Sequence, residues 1–224
     1  MLTLKVLGAL LAYPEAETME ALGEMEAALC REKLLSRGNL AKVEATIAAM
    51  RAEELLEVQA RYVQLFDRTR SLSLHLFEHV HGDSRARGPA LVELGKLYAS
   101  HGLDPIEGEL PDYLPLYLEF LSLLPPPEAR RRLGDVAHIL EALAVRLRER
   151  DSVYAGLFEA LVALAATAEG EALPLLTEDE PETAEAMDKA WEEAAVVFGP
   201  EAAPQAQGGC TRTAAMLSRL QQRN

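Results

Sequence analysis

Residues 41–65 read AKVEATIAAMRAEELLEVQARYVQL, and in them Val43, Ile47, Met50, Leu55, Val58, Tyr62 and Leu65 form an apolar stripe at helical spacing. The stripe would continue through Leu72, Leu76 and Val80. The charged run Asp67-Arg68-Thr69-Arg70, followed by Ser71 as an N-cap, predicts a break before that continuation. Apolar residues recur at three- and four-residue steps along the rest of the chain, without the period-2 runs of Val, Ile and Thr that strands need. The spacing therefore predicts an all-α fold, a single-domain helical bundle with short loops.

Upstream, a first helix covers residues 2–12 and stops before Pro14. A second, over 15–35, buries Leu22, Met25 and Leu29, with Gly38 and Asn39 as C′ residue and next N-cap. Downstream, residues 82–88 form a polar turn, and Pro89 suits the first turn of a helix carrying Leu91, Leu94 and Tyr98. After a loop over 103–110, the aromatic segment 112–124 is a short helix closed by Pro125-Pro126-Pro127. One helix over 128–150 aligns Leu133, Val136, Leu140, Leu143 and Leu147. Ser152 caps the next, which turns Tyr154, Leu157, Phe158, Leu161, Leu164 and Ala165 inward. A last strong helix from Thr183 carries Met187, Ala190, Trp191, Ala194 and Phe198. Residues 199–209, with two prolines and three glycines, read as a flexible linker to a weak helix over 211–222. The expected organisation is a helical domain over 1–198 and a flexible tail over 199–224.

Of 224 residues, 49% are hydrophobic and 26% charged, enough apolar material for a real core. The 22 Lys and Arg against 36 Asp and Glu give a net charge of -14, which argues against nucleic acid as a partner. Two cysteines, Cys30 and Cys210, suit a reducing cytoplasm rather than a disulfide framework. The opening run Leu2 to Tyr13 lacks a small-x-small cleavage site, and no uninterrupted apolar stretch is long enough to span a membrane. A cytoplasmic protein is expected.

The densest polar cluster is Ser71-Leu-Ser-Leu-His75-Leu-Phe-Glu78-His79-Val-His81-Gly82-Asp83. His75 and His79, at i and i+4, would share a helix face, as two imidazoles must to reach one zinc ion. The residue after His75 is Leu76, so the general-base Glu of a zinc protease is missing, and a histidine face ordering a helix end is the plainer reading. Glu109 and Asp112, just before and within a helix start, are explained by capping and the macrodipole, although paired carboxylates can also do acid-base work. Arg130-Arg131-Arg132 reads as a solvated charge run rather than an anion site. Tyr62, Phe66, Tyr113, Tyr117 and Phe120 read as core, with part of the set lining a groove.

Three motifs in order carry a resemblance: Tyr62-Val-Gln-Leu65-Phe66-Asp67-Arg68, Ser73-Leu-His75-Leu-Phe77-Glu78-His79-Val-His81-Gly82, and Glu109-Leu-Pro111-Asp112-Tyr113-Leu-Pro115-Leu-Tyr117-Leu-Glu119-Phe120-Leu121. From about residue 4 to residue 198 the chain resembles the NarJ-type nitrate reductase molybdenum cofactor assembly chaperones, part of the wider group that includes TorD and DmsD. The resemblance implies a TorD-like all-helical cytoplasmic chaperone, without enzymatic activity and holding no cofactor of its own. Its client would be the catalytic α subunit of a respiratory nitrate reductase. The chaperone would recognise that subunit's N-terminal segment and keep it from the membrane until molybdenum cofactor insertion. Cofactor delivery proteins are a further implied partner. The wider group's Glu-Pro-x-Asp-His-like signature is matched by Glu109 and Asp112, with the proline at Pro111 and Tyr113 in place of its His.

On this basis the expected partner groove comprises Tyr62, Phe66, His75, Glu78, His79, Glu109, Asp112, Tyr113 and Tyr117, with no catalytic or metal-binding residue. Helical bundles with such grooves take amphipathic helices at i, i+3, i+4 and i+7. The competing reading is a metal- or nucleotide-dependent hydrolase built on His75, His79, Glu109 and Asp112.

Overall fold

In a computed structural model, the described residues are 1–82, 84–103, 108–166 and 175. Among them the chain forms ten α-helices and no strand. These are α1 (Leu2–Leu11), α2 (Ala16–Glu32), α3 (Arg37–Arg51), α4 (Leu55–Tyr62), α5 (Glu78–His81), α6 (Arg87–Ser100), α7 (Leu114–Leu123), α8 (Pro126–Asp135), α9 (Ala137–Glu149) and α10 (Ala155–Leu164). A π-helical turn, Val63–Asp67, prolongs α4, and a 3-10 turn, Arg70–Leu72, follows it. None of the described helices is long and apolar enough to cross a membrane.

Helices α1, α7 and α10 are apolar around most of their circumference, the pattern of helices enclosed by others. Leu4, Leu7, Leu10 and Leu11 of α1 pack with Leu114, Leu118 and Leu121 of α7, all fully buried. Gly8 permits this approach, since a Cβ there would lie 3.2 Å from both Leu118 Cβ and the Pro115 carbonyl. Helix α10 packs on α9 and α3, with further contacts to α8 and α1, closing the core through Leu157, Phe158, Leu161 and Leu164.

Several predicted boundaries move. The long stripe is two helices, because residues 52–54 break it where the apolar step lengthens from three to five, between Met50 and Leu55. Helix α3 begins earlier than Asn39. Ser36 is extended and its hydroxyl accepts the Asn39 amide at 3.2 Å, while left-handed Lys33 (φ 55°) ends α2, so Gly38 and Asn39 lie inside the first turn. Ser152 is not the cap predicted for it: it lies two residues before the N-cap Tyr154 of α10, whose amide its hydroxyl accepts at 3.3 Å, and α10 starts without a side-chain cap. The predicted helix over 128–150 divides at Val136 (φ -110°, ψ 4°). Val136 stays buried, so the stripe does not register the division. Gly134 marks it, its backbone lying against the Ala166 carbonyl while the Ala166 amide donates to the Arg130 carbonyl.

The triple arginine run is not simply solvated. Arg132 is 2% exposed, and its Nε and one terminal nitrogen donate to Glu128 Oε1 at 2.9 and 2.8 Å. The helix expected from Thr183, the linker, the terminal helix and Cys210 lie outside the described residues.

Candidate functional site

The helical path expected through Leu72, Leu76 and Val80 is not taken. The chain leaves the helical path at Ser73 (ψ 137°), and an isolated antiparallel bridge joins His75 to Tyr113 before residues 76 and 77 turn into the next helix, Phe77 being already αR (φ -78°, ψ -15°). Leu114 N donates to the Leu74 carbonyl at 2.8 Å and Leu76 N to the Asp112 carbonyl at 3.0 Å. The sequence held a signal for this: Ser71-Leu-Ser-Leu-His-Leu alternates strictly, and Leu72, Leu74 and Leu76 are buried, with Ser73 between them buried as well. The helix resumes only in α5.

Asp112 lies beneath the bridge with no solvent exposure. Its Oδ2 accepts the Phe77 amide at 3.1 Å and an Arg87 nitrogen at 3.4 Å, and its Oδ1 meets His75 Nδ1 at 3.2 Å. Arg87 also donates to Glu78 at 2.8 Å. Asp112 is therefore not the helix cap predicted for it, and α7 starts without a side-chain cap. The carboxyl instead ties three segments together: the His75–Phe77 connection, α6 and the lead-in to α7.

This arrangement separates the two histidines that the sequence placed on one face. His75 sits at the bridge, hydrogen-bonded to Asp112, whereas buried His79 directs Nε2 to the Ser73 carbonyl at 2.8 Å. Among the described residues no group of three His, Cys, Asp or Glu side chains is placed to hold a metal ion. The hydrogen bond to Asp112 raises the His75 pKa from its usual value, and burial lowers that of His79. The two contributions to stability have opposite signs. His75 stabilises the fold below about pH 6.5 and loses that contribution as pH rises through its higher folded value. His79 is neutral for longer in the fold, so it costs stability as pH falls below about 6.5. A histidine-resolved NMR titration should find His75 titrating above and His79 below that value. Titration in the reverse order would contradict the geometry.

Above this layer lies an open recess of about 300 Å³, lined by Tyr13, Tyr62, Phe66, Asp67, Leu74, His75, Glu109 and Tyr113. The π-helical turn places Phe66 inward and Asp67 outward at the mouth. The Tyr62 hydroxyl donates to the Leu11 carbonyl at 3.0 Å and shares a 3.0 Å hydrogen bond with the Tyr113 hydroxyl. Tyr13 meets Tyr62 edge-on at 5.6 Å between centroids, and Phe66 lies 5.0 Å from Tyr62 on the other side. Burial raises the pKa of both Tyr62 and Tyr113, so these phenols are neutral donors and acceptors at physiological pH.

Of the nine residues expected in the groove, Tyr62, Phe66, His75, Glu109 and Tyr113 line the recess. Asp112 and Glu78 support it from below through His75 and Arg87. His79 is packed beneath, and Tyr117 is a core residue whose hydroxyl donates to the Arg132 carbonyl at 3.0 Å. Tyr13, Asp67, Leu74 and Arg87 were not foreseen in these roles. Asp67 reads in the sequence as a helix breaker and as part of the first motif, and Tyr13 precedes the proline that ends the first helix.

The all-α bundle is a fold that a solved protein shares. The chain superposes on a candidate redox enzyme maturation protein from Archaeoglobus fulgidus with a TM-score of 0.53, over 72% of this chain and 91% of that one, at 21% identity. The family described as nitrate reductase delta subunit matches residues 15–160. The chain is 42% identical over 201 residues to the nitrate reductase molybdenum cofactor assembly chaperone NarJ of Escherichia coli, covering 88% of this chain and 85% of that protein. It is 34% identical over 169 residues to the Bacillus subtilis NarJ, covering 72% of this chain and 87% of the relative. The chain belongs to the nitrate reductase delta subunit family and is a chaperone of the NarJ type, not an enzyme.

Proposed function

We propose that this chaperone binds the N-terminal segment of the apo catalytic α subunit of nitrate reductase in the cytoplasm. It holds the subunit through molybdenum cofactor insertion and before membrane docking, with cofactor delivery proteins as its second class of partner. The observation that supports this reading is the aromatic recess, with Tyr13 at its mouth 43% exposed and Leu110, beside the lining residue Glu109, 40% exposed. Exposed apolar groups around a partly polar cavity are the features that seat an amphipathic helix. The net charge of -14 favours association with a basic segment.

Calorimetry with a peptide of about 15 residues, the length at which a helix becomes marginally stable, taken from the client's N-terminus should show saturable binding. A negative ΔCp from apolar burial is expected. No heat, together with no competition by the peptide in a chaperone–subunit pull-down, would reject the reading.

A further inference from the structure

The recess has a chemistry more specific than an apolar groove. Four aromatic rings, Tyr13, Tyr62, Phe66 and Tyr113, share it with two exposed carboxylates, Asp67 and Glu109; no Lys or Arg lines it, and the basic side chain that does, His75, is offset by its pairing with the Asp112 carboxylate. Neither carboxylate is engaged by a basic side chain among the described residues. An anionic occupant would meet like charge, and a purely apolar one would strip water from two carboxylates without replacing their hydrogen bonds. A hard metal ion would want several oxygen ligands, whereas the lining offers two carboxylates among eight residues, four of them Tyr or Phe. A group with a positive head and an apolar stem satisfies both halves of the lining, because ring faces and carboxylates each attract it.

Building on the peptide-binding reading above, we propose that the recess receives one cationic side chain, Arg or Lys, of the client's N-terminal segment. Its charge rests on Asp67 and Glu109, and its stem lies against Tyr13, Tyr62 and Phe66. Asp112 takes no part in this contact, since its carboxyl is enclosed by His75, Phe77 and Arg87. Its role is to hold the His75–Tyr113 wall in place.

The test is a double-mutant cycle on full-length chaperone with the client's N-terminal peptide. On the peptide, each Arg is replaced in turn by citrulline and each Lys by norleucine. On the chaperone, Asp67→Asn and Glu109→Gln are combined. Both carboxylates are exposed, so the variant should keep the wild-type melting temperature. One peptide substitution should weaken binding to the wild type roughly 10- to 30-fold, the scale of a desolvated cation–π and charge contact. The doubly substituted chaperone should bind the unmodified peptide with a similar loss and be indifferent to that substitution. The sensitive position identifies the group as guanidinium or ammonium. A control chaperone carrying Glu20→Gln and Glu24→Gln removes the same charge from exposed positions of α2. Equal losses in the control, additive losses in the cycle, or unchanged affinity in the Asp67/Glu109 variant would each overturn the site while leaving peptide binding intact. Failure of the wild type to bind the unmodified peptide would overturn the peptide-binding reading and the site with it.

Discussion

Asp112→Ala is expected to lower the unfolding free energy by about 3–5 kcal/mol, the cost of removing one member of a buried charged pair. Asp112 is fully buried, and its two oxygens serve the Phe77 amide, the Arg87 guanidinium and the His75 ring together. Alanine would leave the amide and the guanidinium without that acceptor in a site that water enters poorly. Asp112→Asn keeps one acceptor oxygen but turns an NH2 toward donors, so a smaller loss of about 1–3 kcal/mol is expected. Urea unfolding measures both, and in both variants the His75 titration should move back toward its ordinary value. A loss below about 1 kcal/mol in Asp112→Ala, the worth of a single neutral hydrogen bond, would show that the network contributes little. The sequence alone suggested other uses of this residue: a helix-start cap whose substitution costs a few tenths up to about 1 kcal/mol, or a client contact whose substitution leaves melting nearly unchanged.

Gly156→Ala should destabilise by about 1–3 kcal/mol, the usual cost of overpacking. A Cβ at residue 156 would lie 2.8 Å from Lys42 Cβ and 3.0 Å from the Lys42 carbonyl, where α10 crosses α3. The neighbour cannot easily yield, because one of its contacts is backbone and Lys42 is also held to Glu159 by an ion pair of 2.5 Å. Gly23→Ala is the matched contrast. Nothing lies within 4 Å of a Cβ there, so the lower backbone entropy of alanine should add about 0.5–1 kcal/mol. Thermal melts should therefore move in opposite directions for the same chemical change in two helices. A rise in melting temperature for Gly156→Ala would mean that the α3–α10 crossing is looser than its geometry states.

Which of the expected groove residues meet was only partly legible. Tyr62 and Phe66, four apart on one helical stretch, were bound to neighbour each other, and both line the recess. His75 and His79 have the same spacing yet part company, because their segment passes through the bridge before it turns helical. That alternation spans only six residues, too short to stand out against the helical periods on either side. Arg87 could not be connected to Asp112 from the sequence, since 25 residues separate them and only the packing of α6 brings the guanidinium to the carboxyl.

By itself the sequence determined the class of this protein. Helical periodicity is a local property, written in residues three and four apart, and it specified an all-α bundle and most of its buried faces. Motif order did the same for the family. What only the tertiary structure decided is which polar groups face solvent and which face each other. The sequence treats Glu109 and Asp112 as equivalent acids three residues apart. The His75–Tyr113 bridge turns one into the core to satisfy Arg87 and leaves the other at the mouth of the recess beside Asp67. Burial and pairing depend on segments distant in the chain, so no local pattern could have told the two carboxylates apart.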